Sequence, residues 1–445
     1  LVKLLAPSHG FSYTAFHKSV IKGSTLASSH RLAAFILTAT TAIGSHANQF
    51  QELFQFAQAN DPNYLSAQHT LDSKLQIIPQ AKSALMPQVS GTFNQNLALD
   101  AGSNKHNYNV QVALPLRLDA YYGMKVAEQS AAGARINFEK THQSLIFSVI
   151  ERYIAVIKQQ HQLSSSMAEV TAIEQRLKQT QKQVELGISS NIQLQDVQAN
   201  FQQLQVALLQ VRQNLSLARA DLENLTNQAL PEQLPALASS FNAASFVQTD
   251  SLENWFVLAQ NNNLDLASNG FASQQAYHNY QAKEVGTYPQ ATLTMSQSYT
   301  TTTGDSKKLT IGLSGTFYDG GLNTAQTREA KEAWHASQQQ GQALLRATQQ
   351  EVRRWHQALD TSRQQIQALA QLRTAVQASL AGKNKEYELG LRDISDILDA
   401  EKLVFSAQRN LANARLDLVL NQLRLKQTSG LLNTNDLSQL DQWFN

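Results

Sequence analysis

A mostly α-helical fold with a smaller β contribution, built from one unit written twice, follows from three observations on the 445-residue chain. Short segments recur at a constant offset of about 200 residues. Apolar residues recur in three-four steps along very long stretches, and two pairs of shorter segments alternate with period two. The repeat is read from Gln80-Ala81-Lys82 with Pro87-Gln88, which returns as Gln281-Ala282-Lys283 with Pro289-Gln290, and from Glu185-Leu186-Gly187, which returns as Glu388-Leu389-Gly390. Each copy therefore has one order: a short helix, two extended stretches, one very long helix, a turn at glycine and a returning helix.

Taken from the start, residues 32–43 are an apolar run, preceded by His30-Arg31 and followed by Ser45-His46-Ala47. This run is too short to span a bilayer as a helix, and the small residues before position 48 fit a secretory cleavage site. Residues 1–47 are read as leader and signal peptide, 48–245 as the first structural repeat and 246–445 as the second. In the first repeat a hairpin is expected over 89–118 and long helices over 122–227. In the second the hairpin is expected over 291–318, the long helices over 322–428 and a tail over 429–445.

The extended stretches place Val110, Val112, Leu114, Leu116 and Leu118 on one face, and likewise Leu309, Ile311, Leu313 and Phe317, against small or polar residues on the other. Each strand has about the length that crosses a bilayer when tilted. Two readings stay open: surface hairpins of a soluble protein, packed on helices by their apolar faces, or membrane-spanning strands. Four strands are too few to close a barrel, and lipid does not tolerate open strand edges, so the second reading requires several chains to share one barrel.

In the returning helix of the first copy a seam runs through Leu194, Val197, Phe201, Leu204, Leu208, Val211, Leu215, Ala218, Leu222 and Leu225. The second copy keeps the register with smaller side chains at Ile397, Ala400, Val404, Ala407, Leu411, Ala414 and Leu418. Three-four spacing sustained this long is a coiled-coil seam. No proline interrupts 122–186 or 322–389, so each outgoing helix reaches roughly 100 Å at 1.5 Å per residue. Pro231 and Pro235, with the loss of heptads, mark a linker near 228–248.

Composition narrows the function. Only 16% of the chain is charged, and 36 basic residues nearly balance 34 acidic ones at a net charge of +2. The basic residues are spread singly, so nucleic acid is not an expected partner. With no cysteine, disulfides, thiol catalysis, cysteine metal sites and an N-terminal lipidated cysteine are all excluded. His142, His161, His335 and His356 fall on the long helices at no spacing that closes a metal site. Neither a His-Glu-x-x-His nor a Gly-x-Ser-x-Gly motif occurs, and Gly382-Lys383 lacks the upstream glycine of a phosphate loop. Neither an enzyme, nor a cofactor, nor a metal is expected.

The segment 387–400, Tyr-Glu-Leu-Gly-Leu-Arg-Asp-Ile-Ser-Asp-Ile-Leu-Asp-Ala, resembles the TolC family of outer-membrane efflux and type I secretion channels. The second repeat of that family carries a similar Tyr-x-x-Gly-x-Arg-x-x-x-Asp-x-x-Asp-Ala run. Phe317-Tyr318-Asp319-Gly320-Gly321, Leu411-Ala412-Asn413-Ala414-Arg415 and Asn421-Gln422-Leu423-Arg424-Leu425 match in order and spacing. The resemblance implies a homotrimer in the outer membrane, each chain giving four strands to a twelve-stranded barrel that continues as a periplasmic α-helical tunnel. It also implies that 228–248 and the tail form an equatorial belt. The partners it implies are a periplasmic adaptor gripping the helical tips at Gly187 and Gly390, an inner-membrane pump or ABC secretion transporter, and outer-membrane lipid. The function expected is the exit duct of a tripartite efflux or type I secretion system. The alternative is a soluble periplasmic coiled-coil adaptor or a secreted helical pore-forming protein.

Asp396 and Asp399 lie three apart on a helix, so both can face one side. Read alone, they are acidic residues favoured by a helix start. The resemblance implies two rings of carboxylates at a pore constriction, which would favour cations. Tyr387 and Arg392 match residues that tie the gate shut. The matching acidic partner in the first repeat is replaced by Gln193, with Asp196 one turn further on. A neutral Arg392–Gln193 bond, and hence a looser or differently wired gate, is expected.

Overall fold

The structure, a computed structural model, describes residues 49–97, 105–238, 241–242, 246–247 and 250–444. The leader and signal peptide expected at 1–47 lie outside the described residues, as do residues 98–104 of the first expected hairpin.

The first half runs α1 (Gln49–Asn60), α2 (Pro62–Leu75), α3 (Ile77–Ser83), β1 (Gln88–Asn96), β2 (Lys105–Leu116), α4 (Leu118–Glu185) and α5 (Asn191–Thr226). The second runs α6 (Leu252–Asn262), α7 (Leu264–Val285), β3 (Gln290–Thr300), β4 (Gly304–Ser314), α8 (Leu322–Glu388), α9 (Ile394–Thr428) and α10 (Thr434–Asp441). One short helix before each hairpin was too simple an expectation. Among the described residues two of the named helices precede the second hairpin and three the first. Asp61 caps α2 by accepting from Tyr64 N, with Pro62 at the first helical position, and Asn263 caps α7 by accepting from Leu266 N. The first copy then breaks at Gln76, where Pro79 cannot donate its missing N–H, while the corresponding Tyr280 lets α7 continue.

The four strands form one antiparallel sheet in the order β1-β2-β3-β4. The hairpins, far apart in sequence, lie edge to edge through β2 and β3, from Asn107 opposite Thr300 to Leu116 opposite Ala291. The strands end a few residues before the expected hairpin limits of 118 and 318. In the first copy α4 already starts at Leu118. In the second the segment Phe317–Gly321 is a helix cap: Asp319 accepts from Gly321 N at 3.0 Å and Asn323 N at 2.8 Å, and Gly320 and Gly321 have φ of 71° and 89°.

α4 and α8 hold 68 and 67 residues, about 100 Å each at 1.5 Å per residue. Both end in the same way. Ile188 N bonds to Gln183 O at 2.8 Å and Leu391 N to Glu386 O at 2.9 Å, across Gly187 and Gly390 at φ 70° and 71°. Such a cap needs a left-handed residue, which explains why the Glu-Leu-Gly triplet appears twice. α5 returns along α4 and α9 along α8, and α9 also packs on α4. All seven seam residues of α9 are buried; in α5 only Val197, Val211, Leu222 and Leu225 are.

The main core sits at the middle of α4. There Phe50, Tyr153 and Phe444 pack ring against ring at 4.4 to 5.6 Å. Tyr153 Oη donates to Pro235 O at 2.7 Å, and Leu237 pairs with Phe444, so linker and tail meet on this core. Below it the apolar clusters are small: Ile173, Val197, Ile394 and Leu398 form one, Val376, Val404 and Ala407 another.

Candidate functional site: a membrane face and a helical gate

The strand register sorts the sheet into two chemically different faces. Val89, Val112, Met295 and Leu309 lie in one row, and Leu114, Leu293 and Ile311 in the next. Most of these side chains are exposed in the isolated chain, Ile311 at 81%. Phe93, Tyr108 and Tyr299 close the apolar zone at one end, Tyr108 and Tyr299 stacked at 5.5 Å. Phe317, Tyr318 and Tyr121, also exposed, stand at the other end. From Leu116 to Tyr108 is about 27 Å of strand, the height of a bilayer's apolar band with aromatic girdles at both rims. The other face is mostly Gln, Asn, Ser and Thr, with Lys105 and Lys308 among them. No described helix is long and apolar enough to cross a membrane.

β1 and β4 each pair on one side only, so the sheet has two open edges. An apolar face of bilayer height with open edges is not viable in lipid, and copies of the chain must close it. A family model described as outer membrane efflux protein matches residues 53–228 and again 255–431. The chain belongs to that family. Outer membrane protein TolC of Vibrio cholerae is 27% identical over 89% of this chain and 93% of its own length. The alkaline protease secretion protein AprF of Pseudomonas aeruginosa is 23% identical, over 86% and 85%. Among solved structures, CusC superposes with TM-score 0.78 at 16% identity, over 91% of this chain and 99% of that one. The open state of Neisseria gonorrhoeae MtrE gives 0.73 at 18%, over 88% and 94%. Like other outer membrane efflux proteins, this chain is an outer-membrane exit duct for efflux or type I secretion, a passive channel and not an enzyme. Such channels are homotrimers that work with adaptor and inner-membrane transporters, with a barrel continued by a periplasmic helical tunnel.

At the far end of the helices, α9 buries Ile394, Ile397 and Leu398 and turns Asp396 and Asp399 away from them. Arg392 Nε binds Glu386 Oε2 at 2.7 Å and its Nη1 binds Asp396 Oδ2 at 3.4 Å. These two carboxylates, Glu386 first, raise the Arg392 pKa further above the physiological range. Tyr387 Oη donates to Gln183 Oε1 at 3.2 Å, a link between the two copies. The expected Arg392–Gln193 bond does not form within the chain. Gln193 closes a capping box instead: Ser190 Oγ accepts from Gln193 N at 3.2 Å, while Gln193 Oε1 accepts from Ser190 N at 3.3 Å and from Ser189 Oγ. Asp196 is exposed on the same helix.

The strongest contacts between the two coiled coils involve residues that sequence reasoning passed over. Arg176 of α4 donates to Glu401 of α9 at 2.8 Å and to Asn384 at 3.2 Å, and lies over the Tyr387 ring at 5.9 Å. Arg409 of α9 reaches Glu169 of α4 at 3.1 Å and Ser165 at 3.3 Å. A signal was present: Ser166, Glu169, Ile173, Arg176 and Thr180 repeat in three-four steps, so charged residues sit in a stripe that otherwise faces a partner helix.

Proposed function

We propose that the duct is gated at the helical tips, with Asp396 and Asp399 of three chains forming acidic rings at the constriction and Tyr387, Arg392, Gln193 and Asp196 wiring the gate around them. The observation that carries this reading is the pair of carboxylates in the first two turns of α9, on the side away from the buried Ile394 and Leu398. Rings of carboxylates in a narrow aqueous passage concentrate cations. Arg392 is held by Glu386 and Asp396 of its own repeat, while Tyr387 and Arg176 carry the links across the copies. Opening parts α9 and α8 from α4, where the apolar packing near the tips is the one small cluster around Ile173, Ile394 and Leu398.

The tips carry apolar side chains with nothing to cover them: Leu186, Ile188, Leu389 and Leu391 are each more than 70% exposed. On this reading a periplasmic adaptor grips them around Gly187 and Gly390 and links the duct to an inner-membrane pump or ABC secretion transporter, which supplies the energy. The two halves, 48–245 and 246–445, act as one duplicated unit, the linker and tail form a belt at mid-height, and outer-membrane lipid covers the apolar sheet face. Cargo is read by charge and size only, so small molecules and unfolded proteins both fit.

Planar-bilayer recording tests the constriction. The Asp396→Ala, Asp399→Ala channel should lose most of the wild-type preference for K⁺ over Cl⁻; an unchanged reversal potential in a salt gradient would remove both residues from the pore.

A further inference from the structure

The polar face of the sheet has a sign of its own. Gln88, Ala113, Thr294 and Thr310 share one row and Ser90, Gln111, Ser296 and Lys308 the next. Further toward the turns come Thr92, Asn109, Ser298 and Ser306, and at the end Asn96 opposite Lys105. The described strands put no aspartate or glutamate on this face: the one acidic strand residue, Asp305, pairs with Tyr299 on the apolar face. Among the described strand residues Lys308 and Lys105 are the only charged side chains on the polar face, and neither has a hydrogen-bond or ion-pair partner there.

We infer that Lys308 forms, in the assembled barrel, a binding ring for small polyvalent anions, reinforced at the outer rim by Lys105. The inference rests on the trimeric exit-duct reading. A closed barrel of a dozen strands tilted by about 40° has a backbone radius of roughly 12 Å. Three lysine ammoniums reaching inward from it stand roughly 10 Å apart, about one Debye length at 0.1 M salt, so their fields overlap across the lumen. A single lysine on a solvated surface would hold an anion weakly. Three converging on one axis, in a low-dielectric wall with hydroxyl and amide donors from Gln111 and Ser296 in the same row, hold a polyphosphate from several sides. The duct then carries opposite signs at its two ends. The barrel draws anions in from outside and the helical gate favours cations.

The test is block of single trimers in a planar bilayer at 0.1 M KCl, with inorganic tripolyphosphate added on the barrel side. Wild type should be blocked in a concentration-dependent way, and the block should weaken strongly in 1 M KCl because salt screens the ring. Lys308→Gln removes three charges at once and should weaken the block about tenfold or more, while Lys308→Arg should retain it and so controls for folding. No block of the wild-type channel, or block equal in Lys308→Gln, overturns the inference while leaving the duct standing; absence of any trimeric conductance overturns the duct reading itself.

Discussion

Replacing Arg176 by Met should open the channel. Arg176 and Glu401 form one of the two most enclosed ion pairs between α4 and α9, with side-chain exposures of 16% and 12%. Met keeps much of the side-chain volume but removes the charge, leaving Glu401 with no partner on Oε1; its Oε2 has none already. Stranding one member of a buried pair costs about 3–5 kcal/mol, and the residual exposure here reduces that to about 2–3 kcal/mol per chain. The cost falls on the closed state alone if opening carries α9 away from α4 and returns Glu401 to water. Threefold symmetry multiplies it, so even a third of one chain's share per subunit, about 2 kcal/mol in total, raises the open-to-closed ratio more than tenfold. The assay is single-channel conductance and open probability in a planar bilayer for Arg176→Met, Glu401→Leu and the double variant. Each single substitution should raise open probability. The double variant should return toward wild type, because a well-packed apolar pair replaces a buried ion pair at little cost. Single variants indistinguishable from wild type would refute the idea that this pair latches the two coiled coils.

Two further outcomes are expected. Gly430→Ala should lower the heat stability of the trimer markedly, by roughly 3 kcal/mol per chain, since position 430 has φ of 70° and an added Cβ would lie 2.0 Å from Asn262 O; a gel-shift melting curve matching wild type would show that the turn between α6 and α7 yields. Gln193→Asp should lower open probability by giving Arg392 of an adjoining chain a carboxylate to bind; unchanged gating would assign Gln193 to capping alone.

The fold was legible because its two periods are long and uninterrupted. A three-four seam of ten residues along α5, and strict alternation at Val110–Leu116, leave little choice of secondary structure. Glycine at 187 and 390 marked the helix ends for a reason the backbone confirms. The break at Gln76 was less visible, since Pro79 lies beside a helix that its counterpart continues. The inter-coil ion pairs were hidden for a different reason. A heptad reports the face a helix turns to its nearest partner, whereas α4 and α9 each carry a second face, and there Arg176, Glu169 and Glu401 look like ordinary solvated charges. Gln193 shows the limit of reasoning by equivalent positions: a residue aligned with a carboxylate was free to become half of a capping box once Ser190 stood three residues before it.

The open edges of β1 and β4 have a genetic consequence. Because no chain can complete its own barrel wall, a chain defective in one edge strand is not merely inactive but occupies a place in a ring with two sound ones. If defective and normal chains were made in equal amounts and mixed freely, only about one-eighth of the rings would contain three normal chains. A lesion confined to Gln88–Asn96 or Gly304–Ser314 would therefore be strongly dominant, whereas one in α1 that keeps the chain from folding at all would be recessive, since it never joins a ring.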